Sequence, residues 1–124
     1  MAKLLFVDDD THTLALMEQI AQILGHRAYL CSTARDALQY AAAFCPDLIL
    51  IDVNMQEISG FDVIRQIREF HGTAQMPALI LSAGDPDIEG KKAMDVGANG
   101  FLPKPLTIKN LEDAIYEFTN HKVA

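Results

Sequence analysis

Five short apolar runs punctuate the chain, and between them lie longer stretches in which apolar residues recur every three or four positions. Lys3 to Val7 is the first run, and it stops at three carboxylates, Asp8, Asp9 and Asp10. Thr11 to Leu24 then carries apolar residues at 17, 20, 21 and 24, one face of a helix, with Gly25 where a left-handed C-terminal cap belongs. Leu14, Leu16 and Ile23 widen that stripe, which reads first as a deeply buried helix and second as a surplus face for a partner. Arg27 to Cys31 has the mixed polarity of an edge strand, and Ser32 or Thr33 can cap a helix from Ala34 to Phe44 that stops before Pro46. Leu48 to Ile51 is uniformly apolar, the pattern of a strand buried on both faces of a parallel sheet, and it delivers Asp52 to its carboxyl end. A helix is expected from about Ile58 to Phe70, with Phe61, Ile64, Ile67 and Arg68 at helical spacing and Gly72 behind it. Pro77 opens a fourth run, Ala78 to Leu81, that ends on Ser82; Asp85-Pro86 starts a helix that Gly97 closes. Asn99-Gly100 links this helix to a short fifth strand at Phe101 and Leu102, which Pro103-Lys104-Pro105 ends. Thr107 to His121 reads as a last amphipathic helix with Ile108, Leu111, Ile115 and Phe118 inward.

Five strands alternating with five helices demand a parallel sheet covered on both faces, because right-handed crossovers put helices on opposite sides only where the strand order reverses. The natural order is 2-1-3-4-5, with the reversal between the first and third strands. At 124 residues, half of them hydrophobic, the chain is read as one domain, residues 1–124, with a single packed core. No run reaches the length of a membrane span and no cleavable leader is evident at the N-terminus, so a cytoplasmic location is expected. Cys31 and Cys45 are then read as reduced, buried small side chains. A formal net charge of −7 and a pI near 4.8 argue against direct nucleic-acid binding and favour a metal cation or a basic partner surface.

Four strands end on a chemically capable side chain: Asp8 and Asp9 after the first, Asp52 after the third, Ser82 after the fourth, Lys104 after the fifth. A parallel sheet brings these to one rim, the edge at which open α/β sheets bind ligands. Two carboxylates about 4 Å apart repel by roughly 4 kcal/mol at an effective dielectric near 20, so three in one cleft call for cations. Lys104 supplies one charge; a hard divalent ion supplies the rest, and Mg²⁺ suits a few carboxylates, a backbone carbonyl and retained waters. The all-oxygen donor set argues against zinc, and His12, at a helix start, reads as a solvated residue. Asp52 beside such an ion can act as a nucleophile toward a phosphoryl group, with the metal, Lys104 and the Ser82 hydroxyl holding the equatorial oxygens. Against this stand two structural explanations: Asp10 caps the following helix, and Asp52 and Lys104 form only a buried ion pair.

FVDDD at 6 to 10, LILIDVNM at 48 to 55, SGFDVIRQIR at 59 to 68, LILSAG at 79 to 84 and GFLPKPL at 100 to 106 resemble the receiver domain of bacterial two-component response regulators, including the single-domain chemotaxis type. The resemblance spans essentially the whole chain. It implies the flavodoxin-like doubly wound (βα)5 fold, and the 2-1-3-4-5 order is in part inherited from it. It also implies that Asp52 accepts a phosphoryl group from a phosphohistidine on a sensor histidine kinase or histidine phosphotransfer protein. Asp8, Asp9 and Asp52 would bind Mg²⁺, or Mn²⁺ in its place, with the main-chain carbonyl of Asn54; Asp8 would act partly through water. Ser82 and Lys104 would bind the phosphoryl oxygens, the Lys104-Pro105 peptide would be cis, and Phe101 would swing inward as the Ser82 hydroxyl moves. The product would be a signalling switch, not a turnover enzyme, that promotes its own phosphotransfer and dephosphorylation. Its phosphorylated form would change affinity for a downstream effector on the face of the fourth helix, fifth strand and fifth helix, where Lys91, Lys92, Phe101, Lys109 and Tyr116 lie. A phosphorylation-dependent homodimer is a further option.

Departures from the family pattern are Met55-Gln56 for Met-Pro and Ser59-Gly60 for Asp-Gly, both expected to alter loop rigidity more than chemistry. Gly84 leaves no side chain over the phosphate, which suggests freer access for water and a short-lived phosphoryl state; Gly84→Glu would then hydrolyse more slowly. The competing classes are a phosphorylation-independent interaction module and a small Mg²⁺-dependent phosphatase acting through an aspartyl phosphate. The second has no evident general acid and no length for a substrate pocket. Flavin binding is disfavoured because the first loop offers carboxylates where a phosphate needs N–H groups. No effector domain follows His121-Lys122-Val123-Ala124, which fits a stand-alone regulator and equally a receiver cut from a longer protein.

Overall fold

The computed structural model describes residues 1–56 and 58–119. Its elements run β1 (Lys3–Val7), α1 (Thr11–Ile23), β2 (Arg27–Cys31), α2 (Ala34–Phe44), β3 (Leu48–Asp52), α3 (Gly60–Glu69), β4 (Ala78–Ser82), α4 (Pro86–Asp95), β5 (Gly100–Pro103) and α5 (Ile108–Thr119). The five strands are parallel in the order β2-β1-β3-β4-β5. The expected doubly wound fold is therefore present, with the reversal between β1 and β3. His121, the expected end of the last helix, and the residues after it lie outside the described residues.

The unbroken apolar runs are explained by two cores, one on each face of the sheet, because alternate strand side chains point to opposite sides. Leu5, Val7, Ile49, Ile51, Ala78 and Ile80 face α2, α3 and α4, meeting Ala37, Ala41, Val63, Ile64 and Ile67. Leu4, Phe6, Leu48, Leu50, Leu79 and Leu81 face α1 and α5, meeting Met17, Ala21, Leu111 and Ile115. Helix starts follow the local chemistry: the side chains of Asp10, Thr33, Ser59 and Asp85 each accept a backbone N–H of the following turn. Gly25 and Gly97 take positive φ at the ends of α1 and α4.

Several expectations are corrected. Helix α1 is not deeply buried: Leu14 is covered, but Leu16 and Ile23 are 61% and 67% exposed. Gly72 is not a left-handed cap, since α3 ends at Glu69 with Phe70 extended. Helix α3 also opens two residues later than expected, at Gly60 under Ser59. Ile108 is exposed at the start of α5. The cysteines are both free, but only Cys31 is buried; Cys45 is exposed and closes α2 in the left-handed conformation that glycine usually supplies. Among the described residues no helix is long and apolar enough to cross a membrane.

Candidate functional site

The strand register assembles the site. Val7 pairs with Ile51 and Ser82 with Pro103, so the residues that follow, Asp8 and Lys104, emerge beside Asp52 at the carboxyl rim. Each ladder runs slightly past its strand: Asp8 N–H donates to the Cys31 carbonyl, Val53 N–H to that of Leu81 and Lys104 N–H to that of Ser82, at 3.0 to 3.1 Å. These bonds fix the loops that carry the functional side chains. Asp52 shares parity with Leu48 and Leu50 and therefore points to the α1 and α5 side of the sheet.

One ligand oxygen from each of Asp8, Asp9 and Asp52 lies within 4.8 Å of the others, the one such acidic group among the described residues. Asp8 and Asp52 are almost wholly buried, at 1% and 4% exposure. Lys104 Nζ donates to Asp8 Oδ2 at 2.9 Å and to Asp52 Oδ1 at 3.2 Å. The other Asp8 oxygen accepts the Asp10 N–H. Burial pushes the Asp52 carboxyl above the ordinary carboxylate value and the Asp8 charge pushes it the same way, while Lys104 and the Asn54 N–H pull it down. Burial also works against the Lys104 ammonium, but its bond to Asp8 and the charges of Asp52 and Asp8 outweigh this and hold its pKa above the usual lysine value. One ammonium thus faces three carboxylates, an arrangement with room for a further cation and an all-oxygen donor set suited to a hard one.

Asp10 does not join them. Its side chain accepts the His12 N–H and the Thr13 hydroxyl, the capping role expected of it, and those bonds, Thr13 first, lower its pKa. The Lys104-Pro105 peptide is cis. Asp8, Asp9, Asp10, Thr13, Asp52, Asn54 and Lys104 give the polar lining of a cleft of about 540 Å³. Its apolar lining comes from Leu16, Met17 and Ile20 of α1 and from Ala83, Pro105 and Leu106. Neither Ser82 nor Phe101 is among the residues that line this cleft. The Ser82 hydroxyl, buried, accepts the Gly84 N–H at 3.0 Å, and Phe101 is partly buried against the α2, α3 and α4 core.

Two residues shape the site through contacts that the sequence pattern does not announce. Gly60 follows the Ser59 cap and lies so close to β3 that a Cβ there would collide with the Asp52 carbonyl oxygen; its N–H donates to the Val53 carbonyl. Any side chain at position 60 would push on the backbone that holds Asp52. A glycine directly inside a helix start is the only sequence signal of that approach. The second is Glu89, whose side chain fills the space beside Gly84, so that flank is covered even though Gly84 itself carries no side chain.

The response regulator receiver domain family matches residues 4–116. Response regulator MprA of Mycolicibacterium vanbaalenii is 32% identical over 109 residues, covering 88% of this chain and 46% of its own length. Transcriptional regulatory protein AfsQ1 of Streptomyces coelicolor is 32% identical over 115 residues, covering 93% of this chain and 50% of its own. The chain spans about half the length of these relatives. The solved structure of Vibrio cholerae chemotaxis protein CheY4 superposes with a TM-score of 0.88 at 28% identity, covering 95% of this chain and 98% of that one. The chain belongs to the response regulator receiver domain family.

Proposed function

We propose that the chain is a phosphoacceptor switch in which Asp52 takes a phosphoryl group from a phosphohistidine on a sensor histidine kinase or histidine phosphotransfer protein. The observation that carries this reading is the meeting of Asp52 with Asp8, Asp9 and Lys104 at the strand ends. A carboxylate oxygen of Asp52 attacks phosphorus; the O–P bond forms, the N–P bond breaks, and the donor histidine leaves as imidazole after taking a proton. Asp8, Asp9, Asp52 and the Asn54 carbonyl would hold Mg²⁺, with Mn²⁺ an acceptable substitute, and the ion supplies charge neutralisation between the carboxylates and the incoming phosphoryl oxygens. Lys104, already bonded to Asp52, turns its ammonium to one phosphoryl oxygen and the Ser82 hydroxyl turns to another. With Ser82 displaced, Phe101 moves inward, and the surface of α4, β5 and α5, where Ile88, Met94 and Tyr116 are more than half exposed, changes its affinity for an effector. The chain is in this reading a signalling domain, not a turnover enzyme.

Intact-protein mass after incubation with Mg²⁺ and a small acyl phosphate tests the reading. One phosphoryl adduct is expected, absent from Asp52→Asn and from a chelator-treated sample. No adduct, with no binding of beryllofluoride either, would move the reading to an interaction module that is never phosphorylated.

The apolar lining of the cleft suits contact with a donor protein. Leu16 is exposed and lines the same cleft as Asp52, and burying such a side chain contributes on the order of 1.5 kcal/mol to an encounter, about tenfold. Leu16→Asp is therefore expected to slow transfer from a phosphohistidine protein about tenfold or more and to leave the rate with the small donor unchanged. Equal slowing with both donors would place the effect in the site, not in docking.

A further inference from the structure

Glu89 belongs to the first turn of α4. A carboxylate there is favoured by the helix N-terminus, which accounts for its charge but not for its position. Its side chain lies back over the loop after β4: Oε1, Cγ and Cδ stand 2.9, 3.0 and 3.3 Å from where a Gly84 Cβ would be. Its Oε2 is buried and has no hydrogen-bond partner among the described residues. A carboxylate serving only the helix end would keep that oxygen in water, because an unpaired buried acceptor is costly.

The carboxylate packs on the Cβ side of Gly84, whose backbone carries a donor that the switch would release. The Gly84 N–H is at present committed to the Ser82 hydroxyl oxygen. That hydroxyl is the group that turns to the phosphoryl oxygen in the function proposed above, and turning it strips Gly84 of its acceptor. We propose that Glu89 is a positioning residue of the switch: its carboxylate takes over the Gly84 N–H as Ser82 releases it. The loop then passes to the phosphoryl-bound arrangement without a net loss of a hydrogen bond, and the absence of a side chain at position 84 is what admits Glu89 to the loop backbone. The inference rests on the phosphoacceptor reading.

Amide hydrogen exchange at Gly84, followed by NMR with and without Mg²⁺ and beryllofluoride, tests it on the native chain, Glu89→Gln and Glu89→Ala. Without beryllofluoride the three should protect Gly84 equally, since Ser82 is the acceptor. With it, protection should persist in the native chain and in Glu89→Gln, whose carbonyl can still accept, and fall about tenfold in Glu89→Ala, with beryllofluoride affinity reduced by a similar factor. Equal Gly84 protection in all three loaded proteins, or none in any, would overturn the role of Glu89 alone. A native chain whose amides near Asp52 do not respond to beryllofluoride would overturn the phosphoacceptor reading and this inference with it.

Discussion

Asp52→Asn is expected to make the metal-free protein more stable, by about 1–2 kcal/mol at neutral pH, although it removes the proposed phosphoacceptor. Asp52 is nearly buried, shares its cleft with two further carboxylates and bonds to a single ammonium that Asp8 also uses. The loss of hydration, and after it the Asp8 charge, outweigh the pull of Lys104 and of the Asn54 N–H, which holds the Asp52 carboxyl above the ordinary value of 3.8. A raised folded-state pKa means that the folded protein holds the proton more tightly than the unfolded chain does. Stability therefore falls as pH rises from 3.8 through the folded value, and the penalty is fully present above it. Urea unfolding in chelator should show the gap between Asp52→Asn and the native chain closing as the pH is lowered toward 3.8. Saturating Mg²⁺ should reverse the ranking, because ligand at a hundred times its Kd adds about 2.7 kcal/mol to whichever form binds it. A native chain more stable than Asp52→Asn in chelator at pH 7 would instead make the Asp52–Lys104 pair a structural brace.

How much of this was legible in the sequence depended on the range of the interaction responsible. The strands and their order could be read because both faces of β1, β3 and β4 are buried, which leaves a run of apolar residues that needs no partner to be recognised. The carboxylates and Lys104 could be read because each ends a strand, so that a correct topology places them together. Loop and helix-face details were less accessible. Leu16 and Ile23 continue the apolar stripe of α1, and periodicity alone does not tell a core-facing residue from an exposed one. Cys45 occupies a left-handed cap without the glycine that would have announced it. Gly60 and Glu89 matter through contacts with Asp52 and Gly84, which only the folded chain brings near. Gly84 was seen as an empty position; the side chain that fills it comes from the next helix.

Arg68 stands at helical spacing with Phe61, Ile64 and Ile67 on α3, and its loss should cost the fold heavily. Arg68→Ala is expected to destabilise the protein by about 3–4 kcal/mol. Its guanidinium donates to the carbonyls of Gly97, Thr73, Ala74 and Met76 and to Asn99 Oδ1, and burial lowers its pKa. The same Asn99 oxygen accepts the Ala78 N–H, so one side chain ties the end of α3 to the entries of both β4 and β5. Truncation would leave several loop carbonyls without donors and remove the stem that packs 3.3 Å from the Cβ direction of Gly97. Arg68→Lys should recover little, because a three-donor point charge cannot reproduce a planar five-donor fork. Arg68 binds at the amino ends of β4 and β5, whereas Ser82 and Lys104 leave their carboxyl ends. At a temperature where the variant remains folded, its rate of adduct formation with a small acyl phosphate should match that of the native chain while its urea midpoint falls. A loss below about 1 kcal/mol would mean that water replaces the guanidinium at these carbonyls without strain. A slowed reaction in folded protein would mean that the seating of β4 and β5 at their entries sets the height of Ser82 and Lys104 at the rim.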